Sequence, residues 1–121
     1  MNTLASLLTA LVACEHIGFM VLESLLWRKP VGRKVFGLTP ERAEMTAALA
    51  ANQGLYNGFL AAGLIWALWE QTPDFAHALA VFFLSCMIVA AVFGALTVKR
   101  TILLIQGLPA TLALAALLLG R

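Results

Sequence analysis

Four apolar runs, about 3–27, 40–69, 73–98 and 101–119, take up almost the whole chain, and only short charged or proline-bearing breaks separate them. A helix rises 1.5 Å per residue, so about 20 apolar residues cross a hydrocarbon core about 30 Å thick. Charged residues are 12% of the chain and hydrophobic ones 62%, against about 25% charged in soluble domains. The predicted fold is therefore all-α: an integral membrane four-helix bundle, up-down-up-down, formed by residues 1–121 as a single domain. No length is left over for a separate soluble domain.

Local signals set the expected ends of the helices. Arg28-Lys29-Pro30 closes the first run at a membrane surface, and residues 28–43 read as a loop. Thr39-Pro40-Glu41 and Thr72-Pro73-Asp74 each supply an N-cap residue, a first-turn proline and an acidic first turn. Lys99-Arg100 separates the last two runs. Pro109 lies inside the fourth run, where it removes an N–H donor, frees the carbonyl of Ile105 and predicts a kink.

Orientation follows from the basic residues. Seven of the eight Lys/Arg residues lie in the 28–43 loop and the 99–100 turn, leaving Arg121 at the opposite ends. The bias puts both basic loops in the cytoplasm and both termini outside, in the inner (plasma) membrane of a bacterium. No basic face with interleaved aromatics remains once these residues are in loops, so no nucleic-acid partner is expected. Leu11-Val12-Ala13-Cys14 is similar to a lipoprotein cleavage signal. No Lys or Arg precedes it, however, and the apolar run continues to Trp27, so processing at Cys14 is not expected.

The exceptions to apolarity are the informative residues. Glu15, His16 and Glu23 lie within the first run, where a charged group costs about 2.5–3.5 kcal/mol even on lenient insertion scales. At about 100° per residue His16 and Glu23 fall within about 20° of each other, and Glu15 lies about 80° from Glu23. Cys14 falls on the opposite side. The second run carries Asn52, Gln53, Tyr56 and Asn57 over about 140°, with Gly54 and Gly58 beside them as a small-residue pair for close helix approach. Depths counted from Trp27 and Glu44 put Glu15 and His16 roughly 17–18 Å deep, level with Tyr56 and Asn57. Glu23 and Gln106 form a shallower tier about 6–8 Å deep, with Asn52 above it. Together these residues predict a polar slot running from mid-membrane towards the cytoplasm.

Each of these residues also has a purely structural reading. Asn52, Gln53, Asn57 and Gln106 suit interhelical hydrogen bonds of about 0.6–2 kcal/mol each. His16 suits a satisfied core donor, and Glu23 suits snorkelling or pairing with Arg28 or Lys29. His77 reads as a surface residue at a wet helix end, Cys14 and Cys86 as small core residues, and Trp27, Trp66 and Trp69 as interfacial belt residues. Lys99 and Arg100 set topology and can also attract an anionic headgroup.

Several of these motifs together resemble one family. They are Glu15-His16 with Glu23, Gly32-Arg33-Lys34-Val35-Phe36-Gly37-Leu38, the run ANQGLYNGFLAAGL at 51–64, Thr97-Val98-Lys99-Arg100, and Gln106-Gly107-Leu108-Pro109-Ala110. The resemblance is to the small bacterial membrane proteins of domain of unknown function family 1304, and it covers nearly the whole chain. It implies a four-helix integral membrane protein and carries no catalytic assignment.

Four functions compete, in this order. The first is a slot that binds or transports a small molecule or cation with proton coupling, with Glu15, His16 and Glu23 as the proton-handling groups and Asn52, Gln53, Tyr56, Asn57 and Gln106 as ligand contacts. In size and in its buried carboxylate the chain is similar to the small multidrug resistance exporters, although the Lys/Arg bias argues against their antiparallel pairing. The second is a membrane enzyme on a lipid-soluble substrate, with Glu15 or Glu23 as acid/base, His16 as shuttle and Asn52 and Asn57 as orienting groups. A structural or partner-binding role is third. A metal site on Glu15, His16 and Glu23 is last, because sequential residues on one helix cannot both face one ion. The expected partners are the lipid bilayer, a small-molecule or lipid ligand and a second copy, with the Gly54/Gly58 face as one candidate interface or, alternatively, a packing face within the protomer. The cofactor is left undetermined.

Overall fold

The computed structural model describes residues 1–120, which form α1 (Thr3–Ser24), α2 (Pro30–Phe36), α3 (Pro40–Trp69), α4 (Pro73–Thr97), a π-helical turn (Leu103–Gly107) and α5 (Leu108–Leu119). Arg121 lies outside the described residues. Among the described residues the fold is all-helical, with no strand. Two helices, α1 and α4, are long and apolar enough to cross a membrane, and Leu103–Leu119 is a shorter apolar stretch.

Capping explains where the helices begin. The backbone N–H of Ala5 donates to Asn2 Oδ1 at 2.8 Å, and that of Arg42 to Thr39 Oγ1 at 3.2 Å, each satisfying a first-turn donor. At α4 the expected Thr72 cap is replaced. Thr72 makes no side-chain cap, and its own N–H donates to Glu70 Oε1 at 3.0 Å. That N–H beside Glu70 holds its carboxyl below the ordinary carboxylate value.

Three stretches depart from the sequence expectation. The first helix ends at Ser24, short of Trp27, where the Leu25 and Leu26 N–H groups both reach back to the Val21 carbonyl, and Lys29, before a proline, takes extended backbone at φ −77°, ψ 158°. The 28–43 loop contains α2, opened by Pro30 at its first turn and closed by Gly37 at φ 65°, a left-handed conformation that favours glycine. The proline kink in the last helix is a π-helical turn: Leu108 N–H reaches back five residues to the carbonyl of Leu103. This wider turn takes up the register lost where Pro109 offers no donor.

The chain forms two compact units, one of Met1–Ala13 with the chain from Ala62 onward, the other of Cys14–Ala61. In the first, the end of α3 packs on α4 where Gly63 meets the Phe83 ring and Trp66 lies edge-on to Phe75, ring centroids 5.5 Å apart. The α4–α5 pair closes where Gly107 approaches Ala91 and Gly94 approaches Ile102. Ala80, Leu84, Met87, Ala91, Ala110 and Ala113 form its buried core. A shallow depression bounded by Met1, Asn2, Pro73, Asp74, His77 and Gly120 brings the start of α1, the start of α4 and the end of α5 to one end of this unit.

In the second unit, residues 14–24 of α1 run antiparallel to residues 40–61 of α3. The pairing starts with Arg28 Nη1 and Glu44 at 3.1 Å and with the Trp27 indole N–H donating to Thr46 Oγ1 at 3.0 Å. It continues through Ser24 Oγ and the Ala51 carbonyl at 3.4 Å, then Glu23 and Met20 against Gly54, and ends with Met20 against Gly58. A Cβ on Gly54 would come within 3.1 Å of both Glu23 Cβ and the Met20 carbonyl oxygen. The glycine pair thus packs inside the protomer, one of the two uses that the sequence left open for it.

Candidate functional site

The second unit holds the site. Glu23, one residue from the end of α1, is only 6% exposed, and Asn57 on α3 donates its Nδ2 amide to Glu23 Oε1. Seven residues earlier on the same face of α1, His16 is 0% exposed and lies edge-on to Phe19, ring centroids 5.4 Å apart. Glu15 is half-buried, and its Oε1 is fully enclosed with no hydrogen-bond partner.

The register differs from the depth expectation, which set Asn57 level with Glu15 and His16. Asn57 instead reaches Glu23, about 10–12 Å along the helix from those residues. Side-chain direction accounts for this. The Cα–Cβ bonds of a helix tilt towards its N-terminus, so on antiparallel helices Glu23 leans away from the 28–43 connection while Asn57 leans towards it. The two side chains converge over a backbone offset that a count of helical rise treats as too large.

The other expected slot residues on α3 do not join them. Asn52, Gln53 and Tyr56 are exposed, at about 140°, 40° and 100° from Asn57 around α3. Gln106, expected in one tier with Glu23, belongs to the first unit and donates its Nε2 to the Met87 carbonyl at 3.4 Å. Glu23 does not pair with Arg28, whose guanidinium bonds both Glu44 oxygens at 3.1 and 3.4 Å. Cys14 is exposed where the sequence suggested a small core residue, and Cys86 is partly buried.

Among the described residues no group of three His, Cys, Asp or Glu side chains can hold a metal ion, so Glu15, His16 and Glu23 do not assemble as a ligand set. The cause is geometric. Glu15 and His16 diverge by about 100°, and Glu23 lies about 10 Å or more along the axis.

Thr9 is a buried polar residue that the sequence reading missed. It is fully enclosed, and its Oγ1 has no hydrogen-bond partner. The signal was available in the spacing: Thr9, His16 and Glu23 recur every seven residues, drifting by about 20° at each step along one face of α1.

Chemically, Glu23 has one amide donor and no ion pair among the described residues. A buried carboxyl in that state needs a bound proton or a cation to balance it. Asn57 supplies a single N–H and keeps its own carbonyl as an acceptor, so the pair can hold a ligand that donates hydrogen bonds.

Residues 10–118 match the family described as "Protein of unknown function (DUF1304)", and the chain belongs to that family. It is 34% identical over 116 residues to the "Uncharacterized protein YpaA" of Lactococcus lactis subsp. lactis (strain IL1403), covering 94% of this chain and 96% of that protein. No solved structure matches the chain.

Proposed function

We propose that the chain is a small integral membrane protein in which Glu23, held by Asn57, takes up a proton or a small cation and exchanges one for the other. One observation carries this: the Glu23 carboxyl is buried on an apolar helix with a single amide as its partner. Ionisable groups in such places face a protein interior and mark ion, proton or substrate sites. His16, buried on the same face, is suited to pass protons between Glu23 and the far side.

Four crossings, by α1, α3, α4 and the Leu103–Leu119 stretch, complete the proposed topology. Its support is the Lys/Arg count, which sets the 28–43 and 99–100 connections in the cytoplasm. The meeting of Met1, Pro73 and Gly120 at one end of the first unit agrees with both termini lying outside. In α3 the polar residues at 52–57 dilute the apolar run, and a helix of 30 residues remains ample in length.

Native mass spectrometry with elemental analysis, on protein purified in mild detergent, tests the site. Wild type is expected to retain a small cation or protonatable molecule, and Glu23→Gln to retain at least tenfold less. Equal occupancy in the two proteins, or none in wild type at any detergent strength that preserves the fold, would overturn the proposal.

A further inference from the structure

The face of α3 that carries Asn52 has a spacing of its own. Met45, Leu49, Asn52, Tyr56 and Phe59 follow one another at intervals of four, three, four and three residues, which is a heptad seam. All five are exposed, Met45 at 83% and Leu49 at 75%, so none of the described residues covers the seam. An asparagine is the one amide on it. A primary amide donates and accepts, so it is complementary to a copy of itself. Left facing lipid, its donors and acceptor would be unmet, which is costly for an amide in hydrocarbon.

We infer that a second copy of this chain covers the seam, α3 against α3 in parallel about a two-fold axis, with Asn52 of one protomer hydrogen-bonded to Asn52 of its partner. The parallel sense follows from the Lys/Arg bias, which gives every copy the same orientation. In a parallel two-fold pair each seam residue meets its own counterpart, so the Asn52 amides fall at one level. A single polar residue in an otherwise apolar seam fixes register and partner number, and amides hydrogen-bond across helices in membranes. The glycine face of α3 is already closed against Met20, Glu23 and Ser24, so on α3 it is the Asn52 face that stays open. The inference rests on α3 crossing the bilayer.

Cysteine cross-linking in native membranes tests it, in a Cys14→Ala/Cys86→Ala background. Leu49→Cys and Tyr56→Cys are expected to form disulfide-linked dimers at least tenfold faster than Ile65→Cys, an exposed position about 160° from the middle of the seam. Adding Asn52→Val to either is expected to slow cross-linking severalfold. Equal rates at all three positions, or no cross-linking at Leu49→Cys and Tyr56→Cys, would overturn the dimer. The same cysteines, treated with a membrane-impermeant maleimide, separate the two failures. Ready labelling of Leu49→Cys from water would overturn the crossing by α3 itself, whereas protected positions that fail to cross-link overturn the dimer alone.

Discussion

Asn57→Leu is expected to lower stability by about 2–4 kcal/mol, while Glu23→Leu/Asn57→Leu recovers most of that loss and binds nothing. The asymmetry comes from what each substitution leaves behind. Removing Asn57 takes away the one hydrogen bond that Glu23 receives among the described residues and leaves its carboxyl buried without a donor. Removing both polar groups leaves an apolar contact of similar volume, which is close to neutral. Magnitude separates this from a plain interhelical hydrogen bond, which averages about 0.6 kcal/mol in membranes. Reversible unfolding in mixed micelles reads the four corners of the cycle. A loss near 0.6 kcal/mol in Asn57→Leu, unchanged in the double variant, would make the pair an ordinary contact.

Gly32→Ala is expected to cost about 3 kcal/mol or more, at the upper end of overpacking penalties. A methyl group there would overlap the Leu26 carbonyl, with its carbon at 2.7 Å and Trp27 Cα at 3.0 Å. These are backbone atoms and cannot rotate aside. Relief requires moving the turn that seats Trp27 on Thr46 and against Phe36, ring centroids 4.7 Å apart. The damage is therefore expected at 25–38, read as faster proteolysis of that connection as well as a lower melting temperature. Gly18→Ala is the matched control. Nothing lies within 4 Å of its added methyl, and replacing a mid-helix glycine gains about 0.5–1 kcal/mol. If Gly32→Ala melted with wild type, the close seating of α2 on the end of α1 would be wrong.

The long helices were legible because their punctuation is explicit. Thr39-Pro40 and Thr72-Pro73 open α3 and α4 where the sequence puts them, and Trp69 closes α3. α2 was missed because seven residues are too few for an apolar period, although Pro30 and Gly37 bracket it as a first-turn proline and a C-terminal glycine do. Pro109 announced a disturbance without specifying a π-helical turn, since a missing donor can be absorbed by a kink or by a wider turn. In the site, helical phase grouped His16 and Glu23 on one face of α1. What phase could not give was which face of α3 turns towards α1. The arc from Asn52 to Asn57 is about 140° wide, and tertiary packing chose the Gly54–Asn57 side. That choice leaves Asn52, Gln53 and Tyr56 outside the pair.

Proton release on cation binding tests the exchange at Glu23 most directly. Purified protein in weakly buffered detergent, with a pH-sensitive dye, is titrated with Na⁺ and separately with tetraphenylphosphonium. If one carboxyl holds either a proton or a cation, linkage requires each to displace the other, and wild type should release up to about one proton per chain with at least one of the two cations. Glu23→Gln should release none, and Asn57→Leu should shift the midpoint. Release that is identical in wild type and Glu23→Gln, or absent from wild type with both cations across the pH range in which the fold persists, would contradict a proton–cation exchange site at Glu23.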